Sequence, residues 1–188
     1  MFIMPGIYKG MKRGPQVIQP KDIGIIISFT GIGKESVCVD AGTGSGWLAV
    51  SLARICKEVY SYDVREDFIK IAEKNRNMFG LSNLFLKKGD VTKSIKERNV
   101  DLVTLDMPSA EKALSSAKRA LKVGGIVVGY TPHMEQAKAF VMKLNSLKFR
   151  DIMTVEVIVR DIMIRKEGVR PSNTGLWHTA YITFGTKT

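Results

Sequence analysis

The chain has 188 residues, 45% hydrophobic and 25% charged, enough to bury a two-sided core around a sheet without crosslinks and unlike the composition of a disordered chain. Lys and Arg number 29 against 18 Asp and Glu, a formal charge of +11, and such an excess on a small domain points to a polyanionic partner, RNA or DNA. No apolar run approaches the roughly 20 residues of a membrane span, and the start Met1–Lys9 has no charged stretch leading into a long hydrophobic one, so the expectation is a cytoplasmic protein of one domain over residues 1–188.

Residues 1–34 form a lead segment in which Lys21–Phe29 reads as a helix begun by Pro20, a residue favoured in the first turn. Five short apolar, β-branched runs then follow: Ser36–Ala41, Val59–Val64, Leu84–Lys87, Leu102–Leu105 and Ile126–Tyr130. Between them Trp47–Cys56, Arg65–Phe79, Ala110–Leu121 and His133–Leu147 carry apolar residues at three- and four-residue spacing, the mark of one-sided helices. This alternation predicts parallel strands with crossover helices. Met153–Ile164 and Leu176–Phe184 are two longer strand-like runs joined by the polar segment Arg165–Gly175. They predict an antiparallel hairpin, where a plain dinucleotide-binding fold would continue with parallel strands. Cys38 lies inside the first run, and Cys38 and Cys56 are too few for a disulfide framework or a thiolate zinc site. Both read as small buried hydrophobes, and no metal is expected.

The first strand delivers Asp40-Ala41-Gly42-Thr43-Gly44-Ser45-Gly46 straight into a helix. Backbone N–H groups at a helix start can approach a ligand closely where side chains would block it. The glycines stand as G-x-G-x-G, and the position where a dinucleotide fingerprint wants its third glycine is Trp47, which disfavours a pyrophosphate ligand. S-adenosylmethionine, which has no phosphate, fits this spacing. Asp63 at the end of the second strand can accept both ribose hydroxyls of an adenosine-containing cofactor, and Asp90 just after the third can accept from the adenine amino group. A carboxylate at a strand end often serves only as a cap, so the order of loop, Asp63 and Asp90 carries the argument. Loop and hairpin together place the chain among α/β, Rossmann-like, class I S-adenosylmethionine-dependent methyltransferases, with a mostly parallel seven-stranded sheet and a C-terminal antiparallel hairpin.

Nearly the whole chain resembles the tRNA adenine-N1 methyltransferases, which modify the T-loop of tRNA. The likeness runs through Lys12-Arg13-Gly14-Pro15-Gln16, Gln19-Pro20-Lys21-Asp22, Thr30-Gly31-Ile32-Gly33 and Ala41–Gly46. It continues in Leu105-Asp106-Met107-Pro108, in Tyr130-Thr131-Pro132 with Gln136, and in Arg170-Pro171 followed by His178-Thr179-Ala180-Tyr181, the most diagnostic segment. The resemblance implies S-adenosylmethionine as methyl donor, S-adenosylhomocysteine as product, tRNA as acceptor and a homo-oligomer, a tetramer in the family. It makes Asp106 the catalytic residue and adds Asp106 to the cofactor-binding set of Asp40, Gly42, Thr43, Gly44, Ser45, Gly46, Asp63 and Asp90.

Chemistry agrees with that role for Asp106. Adenine N1 is a weak nucleophile that becomes part of a cationic base, and a carboxylate beside the N6 amino group stabilises the developing charge. Tyr130, read as following the fifth strand, can stack on the target base. Arg160, Arg165, Lys166 and Arg170 are the candidates to hold the RNA backbone, solvated surface charge being the plainer reading of each. Trp47 and Trp177 read as packing residues, and His178 as a residue that packs or bonds locally rather than one that catalyses.

Three features depart from the family pattern. Its separate N-terminal β-domain is expected to be absent, Pro108-Ser109-Ala110 stands where the family has proline and tryptophan, and Thr131-Pro132-His133 replaces Leu-Pro-Asn. Two other readings stay open: a corrinoid-precursor methyltransferase acting on a small molecule, and a non-catalytic RNA-binding partner subunit.

Overall fold

The computed structural model describes residues 6–14, 16–175 and 178–188. Helix α1 (Pro20–Thr30) precedes a run of strands and helices that alternate except between β3 and β4, which no helix separates: β1 (Val37–Ala41), α2 (Trp47–Ala53), β2 (Glu58–Asp63), α3 (Glu66–Met78), β3 (Leu84–Lys88), β4 (Val100–Leu105), α4 (Leu114–Ala120), β5 (Leu121–Thr131) and α5 (Met134–Ser146). Strands β6 (Arg150–Glu156) and β9 (Tyr181–Thr186) complete a seven-stranded sheet in the order β3-β2-β1-β4-β5-β9-β6. The first five strands are parallel, and β9 runs antiparallel between β5 and β6.

Side chains alternate between faces along a strand, and the core follows that rule. Cys38, Leu102, Val128 and Ile182 face a cluster built with α1 and α2, while their neighbours Val39, Val103 and Val127 face a second cluster built with α4 and α5. Gly129 is what lets α5 lie close, since a Cβ there would come within 2.7 Å of the Phe140 ring.

Helix ends depart from the periodicity where a backbone group finds another partner. The helix expected over Trp47–Cys56 stops at Ala53, whose carbonyl, left free at the helix end, accepts Asn83 Nδ2 at 2.7 Å, and the same amide donates to the Cys56 carbonyl beyond it at 3.0 Å. The one expected over Ala110–Leu121 begins as a 3₁₀ turn, Ala110–Ala113, and ends before Leu121, which has turned extended and opens β5.

The C-terminal region corrects the reading more substantially. Met153–Ile164 is not one strand: β6 ends at Glu156, and the end of that run, Ile162–Arg165 (β7), pairs antiparallel with Gly168–Pro171 (β8) from the polar connecting segment in a separate ribbon. Ile158, Val159, Ile162, Ile164 and Val169 are exposed. With no sheet face to bury them, their β-propensity is spent on local pairing instead. The antiparallel partners are β6 and β9, with Met153 opposite Phe184. Leu176 and Trp177, whose strand and packing roles were expectations, lie outside the described residues, as do Pro15 and residues 1–5.

Cys38 and Cys56 are buried and unbridged, their sulfurs 3.6 Å apart. No helix among the described residues is long and apolar enough to cross a membrane.

Candidate active site

The strand order reverses between β1 and β4, the place where open α/β sheets hold their ligands outside the carboxyl ends of the strands. A cavity of about 630 Å³ lies there. Every parallel strand contributes to its lining: Gly42, Gly44 and Ser45 follow β1, Tyr62 and Asp63 end β2, Gly89 and Asp90 follow β3, Asp106, Met107 and Pro108 follow β4, and Tyr130 and Pro132 come from the end of β5.

Close backbone approach builds the loop after β1. Gly42 has φ +89°, and a Cβ on it would stand 1.8 Å from the carbonyl oxygen of Asp106, so only glycine fits. On the other side the Asp106 N–H donates to the Ala41 carbonyl at 2.8 Å. Gly46, at φ +80°, starts α2 with its missing Cβ 3.0 Å from that of Ala72. The loop tip is held by Asp63, whose Oδ2 accepts the Gly44 N–H at 3.0 Å while Oδ1 accepts that of Arg65 at 2.9 Å.

Asp40 sits lower than the sequence reading placed it. Register sets Asp40 beside Ser61 on β2 and Thr104 on β4, and its carboxylate accepts both hydroxyls, at 2.6 and 2.8 Å. Thr43 is likewise turned inward, 2.7 Å from Ser61. Neither Asp40, Thr43 nor Gly46 lines the cavity; they brace the loop from beneath. Burial raises the Asp40 pKa, opposed by the two hydroxyls.

Asp106 is partly buried and opens into the cavity. Burial first, and then the negative charges of Asp40 and Asp63, push its pKa up to about 7. Asp90 accepts the N–H and hydroxyl of Thr92 on one oxygen, at 2.9 and 2.6 Å, which holds its pKa down, the Thr92 hydroxyl contributing most. Tyr130 lies within β5 rather than after it, and its hydroxyl donates to Asp22 Oδ2 at 3.1 Å. Burial and the Asp22 charge raise the Tyr130 pKa well above the tyrosine range. Its ring therefore forms a fixed wall.

Other cavity residues carried no assigned role in the sequence reading. Gly14 and Gln16 belong to the lead segment. They are brought in by Asn75 of α3, whose side chain exchanges bonds with the backbone of Lys12 at 2.7 and 2.8 Å and donates to the Ser45 carbonyl at 2.7 Å. A lone asparagine in an amphipathic helix gives no sequence signal for that. Gln136, on the first turn of α5, presents a buried Oε1 without a hydrogen-bond partner, and Ser45 presents a buried Oγ in the same condition. Both residues line the cavity, and unsatisfied buried polar atoms are costly unless a ligand completes them.

The residues fit S-adenosylmethionine. The wall holds three carboxylates, Asp63, Asp90 and Asp106, against one guanidinium, Arg65, a negative surround for a cationic donor. Glycines give backbone access, and the orphan atoms of Ser45 and Gln136 await partners.

Arg160, Arg165, Lys166 and Arg170 stand exposed on or beside the β7–β8 ribbon, away from the cavity lining. Trp47 packs as expected, stacked on Tyr8 with ring centroids 4.7 Å apart. His178 bonds to distant segments rather than locally, Nδ1 to Glu156 at 2.5 Å and Nε2 to the Pro132 carbonyl at 2.9 Å. His133 precedes α5 as its N-cap, with no side-chain capping bond. Among the described residues no group of three or more His, Cys, Asp or Glu could hold a metal ion.

The chain is 39% identical to a tRNA (adenine(57)-N(1)/adenine(58)-N(1))-methyltransferase from Methanocaldococcus jannaschii, over 94% of this chain and 73% of that protein. Among solved structures, an S-adenosylmethionine-dependent O-methyltransferase from Thermotoga maritima superimposes with a TM-score of 0.92 at 32% identity, covering 97% of this chain and 71% of the other. A tRNA m1A methyltransferase from Aquifex aeolicus gives a TM-score of 0.91 at 27% identity, with 99% and 76% covered. Residues 10–181 match the family described as the tRNA methyltransferase complex GCD14 subunit, and the chain belongs to that family.

Proposed function

We propose that this protein is an S-adenosylmethionine-dependent methyltransferase that methylates N1 of an adenosine in the T-loop of tRNA. The observation that carries the reading is Asp106, a carboxylate whose backbone is locked against the glycine loop and whose side chain opens into the same cavity. When bound, S-adenosylmethionine supplies an electrophilic methyl group and departs as S-adenosylhomocysteine. The glycine loop, through its side-chain-free surface at Gly42 and Gly44 and the unpaired Ser45 hydroxyl, and the Asp63 and Asp90 carboxylates would hold the donor in place. Asp106 accepts a hydrogen bond from the N6 amino group of the acceptor and stabilises the positive charge that spreads over the base as N1 is alkylated. Tyr130 and Pro132 form the wall against which that base rests. Arg160, Arg165, Lys166 and Arg170 contact phosphates outside the cavity.

We read residues 1–188 as one cytoplasmic catalytic domain that self-associates; the exposed apolar side chains Ile162, Ile164 and Val169 on the ribbon support association. An active site with its carboxylate and glycine loop both in place favours a catalytic chain over an RNA-binding partner subunit.

The test is to incubate the purified protein with labelled cofactor and unmodified tRNA transcript, then digest the RNA to nucleosides. Label in N1-methyladenosine is expected. Label that appears only in a corrinoid precursor offered in parallel overturns the reading.

A further inference from the structure

The cavity wall is joined to the C-terminal arm by a buried ion pair that the chemistry above does not use. Lys21 and Asp22 lie on the first turn of α1, their side chains 6% and 0% exposed and 2.7 Å apart. Burying two charges is expensive, and their attraction offsets it only when their remaining hydrogen-bonding capacity is satisfied. Here that capacity goes to three other segments. Lys21 Nζ donates to the Val157 carbonyl at 2.7 Å and to the Thr179 hydroxyl at 2.6 Å. Asp22 accepts the Tyr130 hydroxyl at 3.1 Å.

Val157 directly follows β6 and Thr179 comes just before β9. One ammonium therefore holds both roots of the arm that carries the ribbon and its basic residues, and its partner carboxylate holds a ring of the cavity wall. A second clasp lies alongside. His178 bridges Glu156, at the end of β6, to the carbonyl of Pro132, another wall residue. The arm is tied at both roots to the two residues contributed to the cavity by the end of β5.

We infer that Lys21 and Asp22 are positioning residues for methyl transfer. They set the Tyr130 ring against the acceptor base and fix the roots of the basic arm, so that RNA held outside and the base held inside keep one register. The inference rests on the RNA methyltransferase reading above. A misplacement of about 1 Å can cost 100-fold in rate, and packing alone leaves a phenol free to shift unless its hydroxyl is also held.

The experiment compares four full-length proteins: wild type, the double variant Lys21→Met with Asp22→Leu, Tyr130→Phe, and the triple combination. Removing both charges together leaves neither buried alone. The measurements are melting temperature, S-adenosylmethionine affinity by calorimetry, kcat and KM with tRNA transcript, and backbone hydrogen exchange over residues 150–186. The double variant is expected to fold, to keep cofactor affinity within about twofold, and to lose about 10- to 100-fold in kcat, with faster exchange at Val157 and Thr179. Tyr130→Phe should lose a comparable factor, and the triple variant no more than the double, because the changes lie on one chain of bonds. Wild-type kcat in the double variant, losses that multiply in the triple, or unchanged exchange at the roots each overturn the inference. If the double variant does not fold, Tyr130→Phe and Thr179→Val remove one hydrogen bond each without stranding a charge. The first must then lower kcat and the second must speed exchange at Val157, and either failing overturns it. A wild-type enzyme that labels no RNA defeats the functional reading, while exchange at the roots still decides the clasp.

Discussion

The cavity and the arm carry opposite charge. Among the described residues, Asp63, Asp90 and Asp106 face the cavity with Arg65 as the one cation in its lining, and Asp40 is buried beneath them. The arm holds Arg160, Arg165, Lys166 and Arg170 against Asp161 and Glu167, all exposed. A net charge of +11 thus says nothing about the field where the chemistry occurs. Partial burial reduces the screening of the field from ionised cavity carboxylates, while the arm's charges are solvated and screened by salt within roughly 8 to 10 Å. Under the proposed function, this arrangement would sort two ligands by charge, a cationic methyl donor inside and a polyanion outside.

Breaking the cavity should have the largest effects. Gly42→Ala pushes a methyl into the Asp106 carbonyl and demands a positive φ that alanine resists; cofactor affinity is expected to fall by about 100-fold or more in a calorimetric titration, a strain of ~3 kcal/mol. Asp106→Ala should cost about 100- to 1000-fold in kcat while leaving cofactor affinity within about twofold, and a parallel loss of binding would assign Asp106 to the donor instead.

The pH profile sharpens the same point. Asp106 has its pKa raised to about 7, and the ionised form is the one that accepts from N6 and stabilises positive charge. Its kcat should therefore rise about tenfold per pH unit below 7 and level off above it, and in the residual activity of Asp106→Asn this step should vanish. Asp63→Ala removes the acceptor that holds Gly44 and Arg65 and should raise the cofactor dissociation constant by about 10- to 100-fold. The smallest effects belong to the arm. Replacing Arg165, Lys166 and Arg170 with alanine should raise the KM for tRNA severalfold at low salt, flatten its salt dependence and spare cofactor binding; a large loss of kcat instead would mean that the arm reaches the reacting base.

Local chemistry made much of this legible in the linear chain. The two periods of hydrophobic residues placed the five parallel strands and their crossover helices, because burial on one face or both leaves a direct imprint on residue order. Gly42, Gly44 and Gly46 marked the loop since a close backbone approach excludes side chains, Asp63 and Asp90 marked strand ends that line the cavity, and Asp106 was marked by the family resemblance. Long-range partners left no such imprint. Asp40 read as a cofactor ligand until register set it between Ser61 and Thr104, and Asn75 and the Lys21–Asp22 pair acquired their roles only from segments far away in sequence. The arm shows the same divide. Its apolar run was plainly strand-forming, but whether Ile162 and Ile164 would join the sheet or pair outside it depended on whether a covered face was available. The order of residues determined which segments could form strands, helices and a backbone cradle; only the tertiary structure decided which polar groups met, because hydrogen bonds and ion pairs are made between positions and not within patterns.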